Sequence, residues 1–334
     1  MFLNSKVKLI ICALLIVVLI GVTGCTSKPA AVDEKFVLKV GTDQAEEHYY
    51  NQGLAKFKEG VESRSNGQIT VEIYPSSQLG SQRSAVEGVA SGTVEMYLTN
   101  TMTLSAWVPE MGVFDLPFIF EDREQAYKIL DGEITAELSK KMEEKGIKVL
   151  AYWENGFRHI TSNIALNTPA DIKGLKIRVP ESPVYIDTFT ALGAAPTPLA
   201  FNEVFTALQT NIIDAQENPA GHAVVNRFYE VQDFINLTGH IYTPEPLVIG
   251  MGIWNKLPDE LKTIIQEEAI TARDFERQLS SDSEIKYLEE LEKVGMKIIK
   301  SDVAAFKAGV APVYGKYDDV LGATLKKIQE SLGK

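Results

Sequence analysis

Apolar and polar positions alternate along the chain with two different periods. Residues 36–40 (FVLKV) and 68–74 (QITVEIY) have the short apolar or alternating pattern of strands, whereas residues 46–63 place apolar side chains at helical spacing. A turn signal, Ser65-Asn66-Gly67, separates the helix from the second strand. This order of strand, helix and strand predicts an α/β lobe with a largely parallel sheet.

The same alternation continues over most of the chain. Further strands are predicted at 94–98, 147–153, 175–179 and 212–215, and further helices at 80–91, 122–131, 133–145, 184–192 and 219–229. No repeat of fixed period is present. Because single cores rarely grow beyond about 250–300 residues, the pattern predicts two similar α/β lobes.

One helical pattern is unusually long. Pro258, Asp259 and Glu260 form a helix start, with proline at the first position and acids in the first turn. Apolar residues then keep helical phase to about residue 293 without holding a heptad, so a coiled coil fits poorly. We predict a single long helix that lies across both lobes.

The N-terminus has the layout of a secretory signal. Lys6 and Lys8 precede a nearly unbroken apolar run over residues 9–22, and small residues come directly before Cys25. This order resembles a bacterial lipobox, in which the signal is cleaved before a cysteine that then carries lipid. The alternative is a cysteine that ends an uncleaved anchor. We favour lipidation of Cys25, which places the folded body outside the cytoplasmic membrane, anchored by its N-terminus.

Five parts are predicted for the chain. Residues 26–35 are small, polar and proline-containing, as in a flexible tether. The predicted organisation is a signal peptide (1–24), a tether (25–35), lobe I (36–155 with about 245–283), lobe II (156–244 with about 284–312) and a C-terminal helical segment (313–334).

Composition narrows the classes of function. The 334 residues are 45% hydrophobic and 23% charged, as in globular proteins, with a formal net charge of −12. Cleavage before Cys25 would remove two lysines and no acid, which changes the charge to −14. This acidic balance argues against nucleic acid as a partner, since nucleic acid attracts clusters of lysine and arginine.

Motifs of catalysis and cofactor binding are missing from the sequence. It contains no phosphate-binding loop, dinucleotide fingerprint, H-E-x-x-H, G-x-S-x-G or EF-hand pattern. The histidines are scattered without metal-like spacing, and structural imidazoles explain them: His48, His159, His222 and His240. We predict a protein that binds rather than reacts, with no metal and no cofactor.

Two arginines are candidate anion-binding residues. Arg178 lies near the end of the strand at 175–179, just before Pro180, and Arg158 follows Asn155-Gly156-Phe157. Ligands of open α/β sheets gather beyond the carboxyl ends of strands, where a guanidinium grips a carboxylate through two parallel hydrogen bonds. A structural ion pair or a solvated strand end explains such an arginine as well, so position alone leaves both readings open.

Asn218 is a third candidate. It precedes Pro219 and is therefore held out of helical geometry, at a predicted strand-to-helix turn where it offers both a donor and an acceptor. On position alone a plain helix cap is favoured. Three aromatics are candidate walls for a ligand, although isolated aromatics usually belong to a core: Trp153, Phe157 and Phe201.

Six stretches, in this order, resemble the DctP-type solute-binding proteins of TRAP transporters. Each is weak alone, but together they cover the body after the tether: YPSSQLG (74–80), DLPF (115–118), DIKGLKIRV (171–179), GAAPTP (193–198), FNEV (201–204) and DAQENP (214–219). The resemblance implies a two-lobed, periplasmic-binding-protein-like α/β fold, with one long helix joining lobes that close on a ligand.

The resemblance also assigns roles to individual residues. It implies that Arg178 grips the ligand carboxylate, that Arg158 assists and that Asn218 orients the same group. Positions after the first strand and after Gly92 map less securely, to Asp43 with His48 nearby and to Asn100. Together with Asn155, the polar Asp43 and Asn100 would suit a hydroxylated ligand.

The expected function is capture of a small organic acid, such as a uronate or keto-sugar acid, for a sodium-coupled TRAP permease. Asn100 stands where sialic-acid binders carry glutamate, which disfavours sialic acid, and Tyr49 replaces a common proline, which puts the loop shape there in doubt. A four-carbon dicarboxylate receptor and an ABC-type receptor for amino acids or peptides are the alternatives. An extracellular sugar-acid enzyme ranks below them. The protein is expected to be a monomer.

Overall fold

A computed structural model of the protein describes residues 35–334. The predicted signal peptide, most of the tether and Cys25 lie outside these residues. Within residues 35–334, no helix is both long enough and apolar enough to cross a membrane.

Strands form two separate sheets. In chain order they are β1 (Phe36–Gly41), β2 (Ile69–Tyr74), β3 (Met96–Leu98), β4 (Ile147–Phe157), β5 (His159–Ser162), β6 (Lys176–Val179), β7 (Ala195–Pro198), β8 (Ala215–Asn218), β9 (Phe234–Asn236), β10 (Tyr242–Gly250) and β11 (Lys297–Ile299). The first sheet has the order β2-β1-β3-β10-β4 and the second β11-β9-β5-β8-β6-β7. This confirms the two-lobed α/β class. The exact lobe boundaries stay a prediction.

Both sheets are largely parallel, with one antiparallel strand in each. In the first sheet β1 is parallel to β2 and β3, while β10 runs antiparallel to β3 and β4. In the second, β6 is parallel to β7 and β8, and β5 is antiparallel to β8 and β9. The expectation of a largely parallel sheet is confirmed. In residues 35–334, β10 alone runs against the other strands of the first sheet and β5 alone against those of the second, because each is the strand that enters its sheet directly from the other one.

Helices cover the sheets. They are α1 (Tyr49–Arg64), α2 (Gln82–Ser91), α3 (Thr101–Leu104), α4 (Arg123–Leu130), α5 (Glu133–Glu143), α6 (Pro183–Ala191), α7 (Val204–Gln209), α8 (Ala220–Val225), α9 (Met251–Trp254), α10 (Asp259–Lys293), α11 (Val303–Lys316) and α12 (Asp318–Leu332). Short 3-10 turns cover Pro109–Asp115, Pro169–Ile172, Phe201–Glu203 and Phe228–Glu230.

The predicted long helix is present as α10, with 35 residues. Its first half buries Leu261, Ile265 and Ala269 in the core of the first sheet. Near its other end, Leu291 belongs to a separate core with Ile235 of the second sheet. One rigid helix therefore contributes to both cores.

Two further links join the sheets directly. A single residue, Arg158, separates β4 from β5, and its N–H donates to the carbonyl of Ile241 at 2.9 Å, just before β10 begins. The chain thus passes between the two sheets twice at adjacent positions, which places Arg158 at the junction of the sheets.

The strand predicted at 212–215 was misplaced. The structure puts it at Ala215–Asn218, where every residue is buried, while Ile212 is 60% exposed. The prediction followed the apolar Ile212-Ile213 pair, but β8 buries polar side chains, and its last residue, Asn218, lines the cavity between the sheets. The helix predicted over 219–229 is α8 followed by a 3-10 turn, and Arg227 between them has a positive φ of 55°.

Candidate ligand-binding site

A cavity lies between the two sheets and holds about 730 Å³ of space, part of it open to solvent. Its first wall comes from segments that follow β1, β2 and β3 and from β4 and β10. The second comes from segments around β6, β7 and β8. Six of the seven predicted ligand-binding residues line it: Asp43, Asn100, Asn155, Arg158, Arg178 and Asn218.

Arg178 is a buried cation without an acidic partner. It lies on β6 and is 4% exposed, and its Nε and Nη2 donate to the carbonyl of Leu199 at 2.9 and 2.6 Å. Within residues 35–334 no carboxylate forms an ion pair with it, and its Nη1 has no hydrogen-bond partner. Burial lowers the pKa of Arg178 to about 10, so it remains charged at neutral pH. Its guanidinium is fixed in place and free to bind an anion.

Arg158 differs because its charge is compensated inside the protein. Its Nε and Nη2 donate to the two carboxylate oxygens of Glu217 at 2.5 and 2.8 Å, and Nη2 also donates to the Asn218 Oδ1 at 2.8 Å. His240 Nε2 lies 3.1 Å from the same carboxylate. Burial alone would raise the pKa of Glu217, but Arg158 and His240 hold it below its usual value.

Asn218 is the last residue of β8, not a residue of the turn. Its Oδ1 accepts from Arg158, and its Nδ2 donates to the Gln216 Oε1 at 2.7 Å. Because β8 lies beside β6, this amide stands on the same wall as Arg178. The predicted ligand contacts of Arg158 and Asn218 stay predictions.

A glutamine that the sequence analysis missed organises the opposite wall. Gln82 donates through Nε2 to the Asp43 Oδ2 at 2.5 Å, and its Oε1 accepts from the Asn100 Nδ2 at 2.5 Å. The other oxygen of Asp43 accepts from the Gln44 amide at 2.8 Å, and the Asn100 Oδ1 caps α3 by accepting from Thr103 N–H at 2.9 Å. Asp43 and Asn100 are therefore held by internal hydrogen bonds. No sequence signal marked Gln82, since it opens an ordinary exposed-looking helix.

Three other groups on this side keep free polar atoms. The Asn155 Oδ1, the Tyr50 hydroxyl and the Glu245 Oε2 are buried with no hydrogen-bond partner within residues 35–334. All three residues line the cavity. Burial, helped by the nearby Asp43, raises the pKa of Glu245 well above its usual value. Glu245 was missed because β10 was not predicted as a strand.

His48 is not brought to the cavity wall. Its Nδ1 accepts from Tyr50 N–H at 3.3 Å and so caps α1, while its ring packs 4.8 Å from the ring of His222. Burial lowers the pKa of His48 to about 3, so it is neutral. His222, which was interpreted as structural, is the histidine that lines the cavity.

Of the candidate aromatics, only Phe201 belongs to this cavity. Its ring centroid is 5.9 Å from the Arg178 guanidinium carbon, within range of a cation–π contact. Trp153 is fully buried in the core of the first sheet, and Phe157 lines a smaller cavity behind the site. Within residues 35–334, no three His, Cys, Asp or Glu side chains cluster as a metal site would require.

The sequence matches one family along most of its length. The family model described as "Bacterial extracellular solute-binding protein, family 7" (DctP) matches residues 40–319. Among curated relatives, the 2,3-diketo-L-gulonate-binding periplasmic protein YiaO of Escherichia coli (strain K12) is 36% identical over 263 residues, which are 78% of this chain and 80% of the relative.

Solved structures with the same fold carry bound acids. A TRAP periplasmic solute-binding protein from Polaromonas sp. JS666, bound to D-erythronate, has a TM-score of 0.86 and 36% identity over 88% of this chain and 98% of its own. The sugar acid binding protein DctPAm from Advenella mimigardefordensis strain DPN7T, in complex with galactonate, has a TM-score of 0.87 and 30% identity over 89% and 98%.

Proposed function

The chain belongs to the DctP family of bacterial extracellular solute-binding proteins, and we propose that it is the receptor of a TRAP transporter for a sugar acid. The family is one of solute-binding receptors that act outside the cytoplasmic membrane. Within that class, we infer the kind of solute from the residues that line the cavity between the sheets.

One observation carries the proposal: Arg178 is buried at the cavity without a carboxylate partner in residues 35–334. A buried cation is costly unless it is paired, and a planar guanidinium is best paired by a carboxylate. The Leu199 carbonyl fixes two of its nitrogens and leaves Nη1 for the ligand. A ligand carboxylate supplies the missing charge.

The rest of the cavity favours hydroxyl groups over a second carboxylate. Two acids, Asp43 and Glu245, stand on the wall opposite Arg178, with the amides of Asn155 and Gln82 beside them. A second ligand carboxylate would face these acid groups, whereas ligand hydroxyls would form hydrogen bonds with them. Diketogulonate, erythronate and galactonate, the acids named for the three relatives described above, each combine one carboxylate with several other oxygens.

A thermal-shift and calorimetry panel tests the proposal. The purified protein is titrated with galactonate, erythronate, glucuronate, succinate, glutamate and neutral galactose. A bound acid at about 100 times its Kd should add about 2.7 kcal/mol to the free energy of unfolding. We expect sugar acids to bind and galactose to have no effect. A preference for succinate would point to a dicarboxylate receptor, a preference for glutamate to an amino-acid receptor, and no binding of any acid would refute the proposal.

We extend the proposal to partners and location. The protein would be tethered by lipid on Cys25, bind its ligand as a monomer without cofactor or catalysis, and present it to the membrane subunits of a TRAP permease. Support for the permease comes from family membership, and support for the tether comes from the signal and lipobox pattern of residues 6–25.

A further inference from the structure

The wall opposite Arg178 carries two acids whose hydrogen-bonding states differ. Asp43 has both carboxylate oxygens occupied, one by the Gln44 amide at 2.8 Å and the other by the Gln82 amide at 2.5 Å. A ligand group that binds Asp43 has to share these oxygens with existing donors. Asp43 is thus already satisfied within the protein.

Glu245 is equally buried but keeps an oxygen free. It is 1% exposed, it lines the cavity, and its Oε2 has no hydrogen-bond partner within residues 35–334. The Tyr50 hydroxyl, which lines the same cavity, lies close enough to Glu245 to lower the pKa of that carboxyl, although the two groups do not meet the geometry of a full hydrogen bond. A buried acceptor left without a donor is costly, so this oxygen is set up to accept from a group that arrives with the ligand.

The backbone around Glu245 holds this side chain in a defined position. Glu245 stands in the middle of β10 between Pro244 and Pro246, and it pairs with Trp153 of β4. Proline fixes φ, so both flanking residues restrict the path of the strand. The carbonyl of Pro246 accepts from Thr99 N–H at 3.0 Å, which ties β10 to the segment after β3. A rigid acceptor of this kind can discriminate between ligands, because it does not relax when no donor is present.

We propose that Glu245 is the specificity-determining residue of the cavity, and that it selects sugar acids by accepting a hydrogen bond from a ligand hydroxyl. This inference rests on the proposed function and adds the residue that recognises the hydroxylated part of the ligand. An acid that lacks the hydroxyl leaves the buried Glu245 oxygen unpaired. An acid with a second carboxylate there brings two carboxyl groups together. Both kinds of ligand are disfavoured relative to a sugar acid.

The test measures a ratio of affinities. Calorimetry gives Kd for galactonate and for succinate in the wild type and in Glu245→Gln, which has the same size but replaces the carboxyl group with an amide. The ratio of Kd for succinate to Kd for galactonate should fall by about 30-fold or more, because galactonate loses the hydrogen bond between its hydroxyl and the carboxyl group of Glu245, while succinate no longer places its second carboxylate against a carboxyl group. A merely structural role would weaken both ligands together and leave the ratio unchanged.

Glu276→Gln is the matched control. Glu276 is a second fully buried glutamate with an unpartnered oxygen, Oε1, but it lies on α10 and does not line the cavity. Its variant should keep the wild-type ratio. Glu245→Leu, which removes all hydrogen bonding, should give a ratio as low as Glu245→Gln, and thermal melting without ligand shows that each variant is folded.

The outcomes separate the two proposals. If the wild type binds none of galactonate, erythronate or glucuronate, the proposed function fails, and this inference fails with it. If the wild type binds galactonate but Glu245→Gln changes the ratio by less than about 3-fold, Glu245 is not the specificity residue, although the proposed function stands. An equal fall in Glu276→Gln also overturns the assignment.

Discussion

At the scale of single residues, the two arginines of the cavity show that burial alone does not define a binding group. Arg158 and Arg178 are both almost fully buried. Glu217 meets Arg158 with both carboxylate oxygens, whereas the hydrogen bonds of Arg178 within residues 35–334 go to the carbonyl of Leu199 alone. The unpaired arginine is the one with charge left for a ligand.

Arg178→Gln should weaken sugar-acid binding by about one and a half to three and a half orders of magnitude, the effect of losing about 2–5 kcal/mol of charge-assisted bonding. The unliganded protein should melt at the same temperature or higher, because a buried, unpaired charge has been removed. Calorimetry and thermal melting measure the two effects. Arg64→Gln, which alters a half-exposed arginine paired with Glu268, is the control and should bind normally. Wild-type affinity in Arg178→Gln would contradict the assignment.

Glu217→Gln should change stability in the opposite direction from Arg178→Gln. It leaves the Arg158 guanidinium buried without its counter-charge, which should lower the free energy of unfolding by about 3–5 kcal/mol in urea denaturation. Glu137→Gln breaks an exposed pair with Lys327 and should leave the denaturation curve unchanged. If Glu217→Gln is as stable as the wild type, Arg158 is not held by Glu217 in solution and is available to the ligand.

At the scale of elements, one contact joins the 3-10 turn Pro109–Asp115 to the start of α6. The Ser182 hydroxyl donates to the Asp115 Oδ2 at 3.0 Å, and the Asp115 Oδ1 has no partner within residues 35–334. Burial raises the pKa of Asp115 to about 8, and Glu217 adds to the effect while Ser182 and Arg158 oppose it. A carboxyl group at this junction responds to pH.

The sign of the response follows from the raised pKa. Folding keeps a proton on Asp115 that the unfolded chain releases near pH 3.8, so its contribution to stability is complete below that pH and is lost as pH rises through about 8. The slope contributed by this group is at most about 1.4 kcal/mol per pH unit.

Asp115→Asn should therefore flatten the fall in stability between about pH 6.5 and pH 8. Urea denaturation across this range measures the pH slope of the free energy of unfolding in the variant and in the wild type. The difference between the two slopes isolates Asp115, because Glu245 and Glu276 also have raised pKa values and contribute to both slopes with the same sign. An unchanged pH slope in Asp115→Asn would show that the carboxyl titrates normally in the folded protein.

At the scale of the whole molecule, the two sheets are joined by a few connections at one level. These are the β4–β5 crossing at Arg158, the return from β9 to β10, and helix α10, which contributes to the cores of both sheets. The ligand cavity lies between the sheets, so any change in their relative orientation opens or closes it. We expect ligand binding to favour the closed arrangement, since Arg178 and Glu245 stand on opposite walls.

The predicted lipid anchor is also a property of the whole molecule. Expressed in its native host, the protein should fractionate with membranes and incorporate labelled palmitate. Cys25→Ser should abolish the label and leave the protein either uncleaved or released. Cys12→Ser, which changes the other cysteine within the predicted signal, is the control and should be labelled normally. Labelling of Cys25→Ser would contradict lipidation at that residue.

The sequence predicted only part of the candidate site. Its arginines and Asn218 follow from short stretches around strand ends, and the structure brings these residues together at one cavity. Gln82 and Glu245 were missed. Gln82 begins a helix with no distinctive pattern. Glu245 lies in a strand whose two prolines argue against a central position in a sheet. The structure accommodates them with a register shift between Thr243 and Pro244.

The sequence by itself determined the α/β class, the long helix, the family and the expected carboxylate ligand, because local periodicity and short motifs are properties of neighbouring residues. Only the tertiary structure decided which polar groups are free. Arg158 and Glu217, which pair, are separated by 59 positions, and Gln82 reaches Asp43 across 39. The electrostatic state of a side chain depends on partners that folding brings close. That is why Arg178 emerges without a carboxylate partner and Glu245 with an unpaired oxygen in residues 35–334, while Glu217 compensates the charge of Arg158 and two amides occupy the oxygens of Asp43.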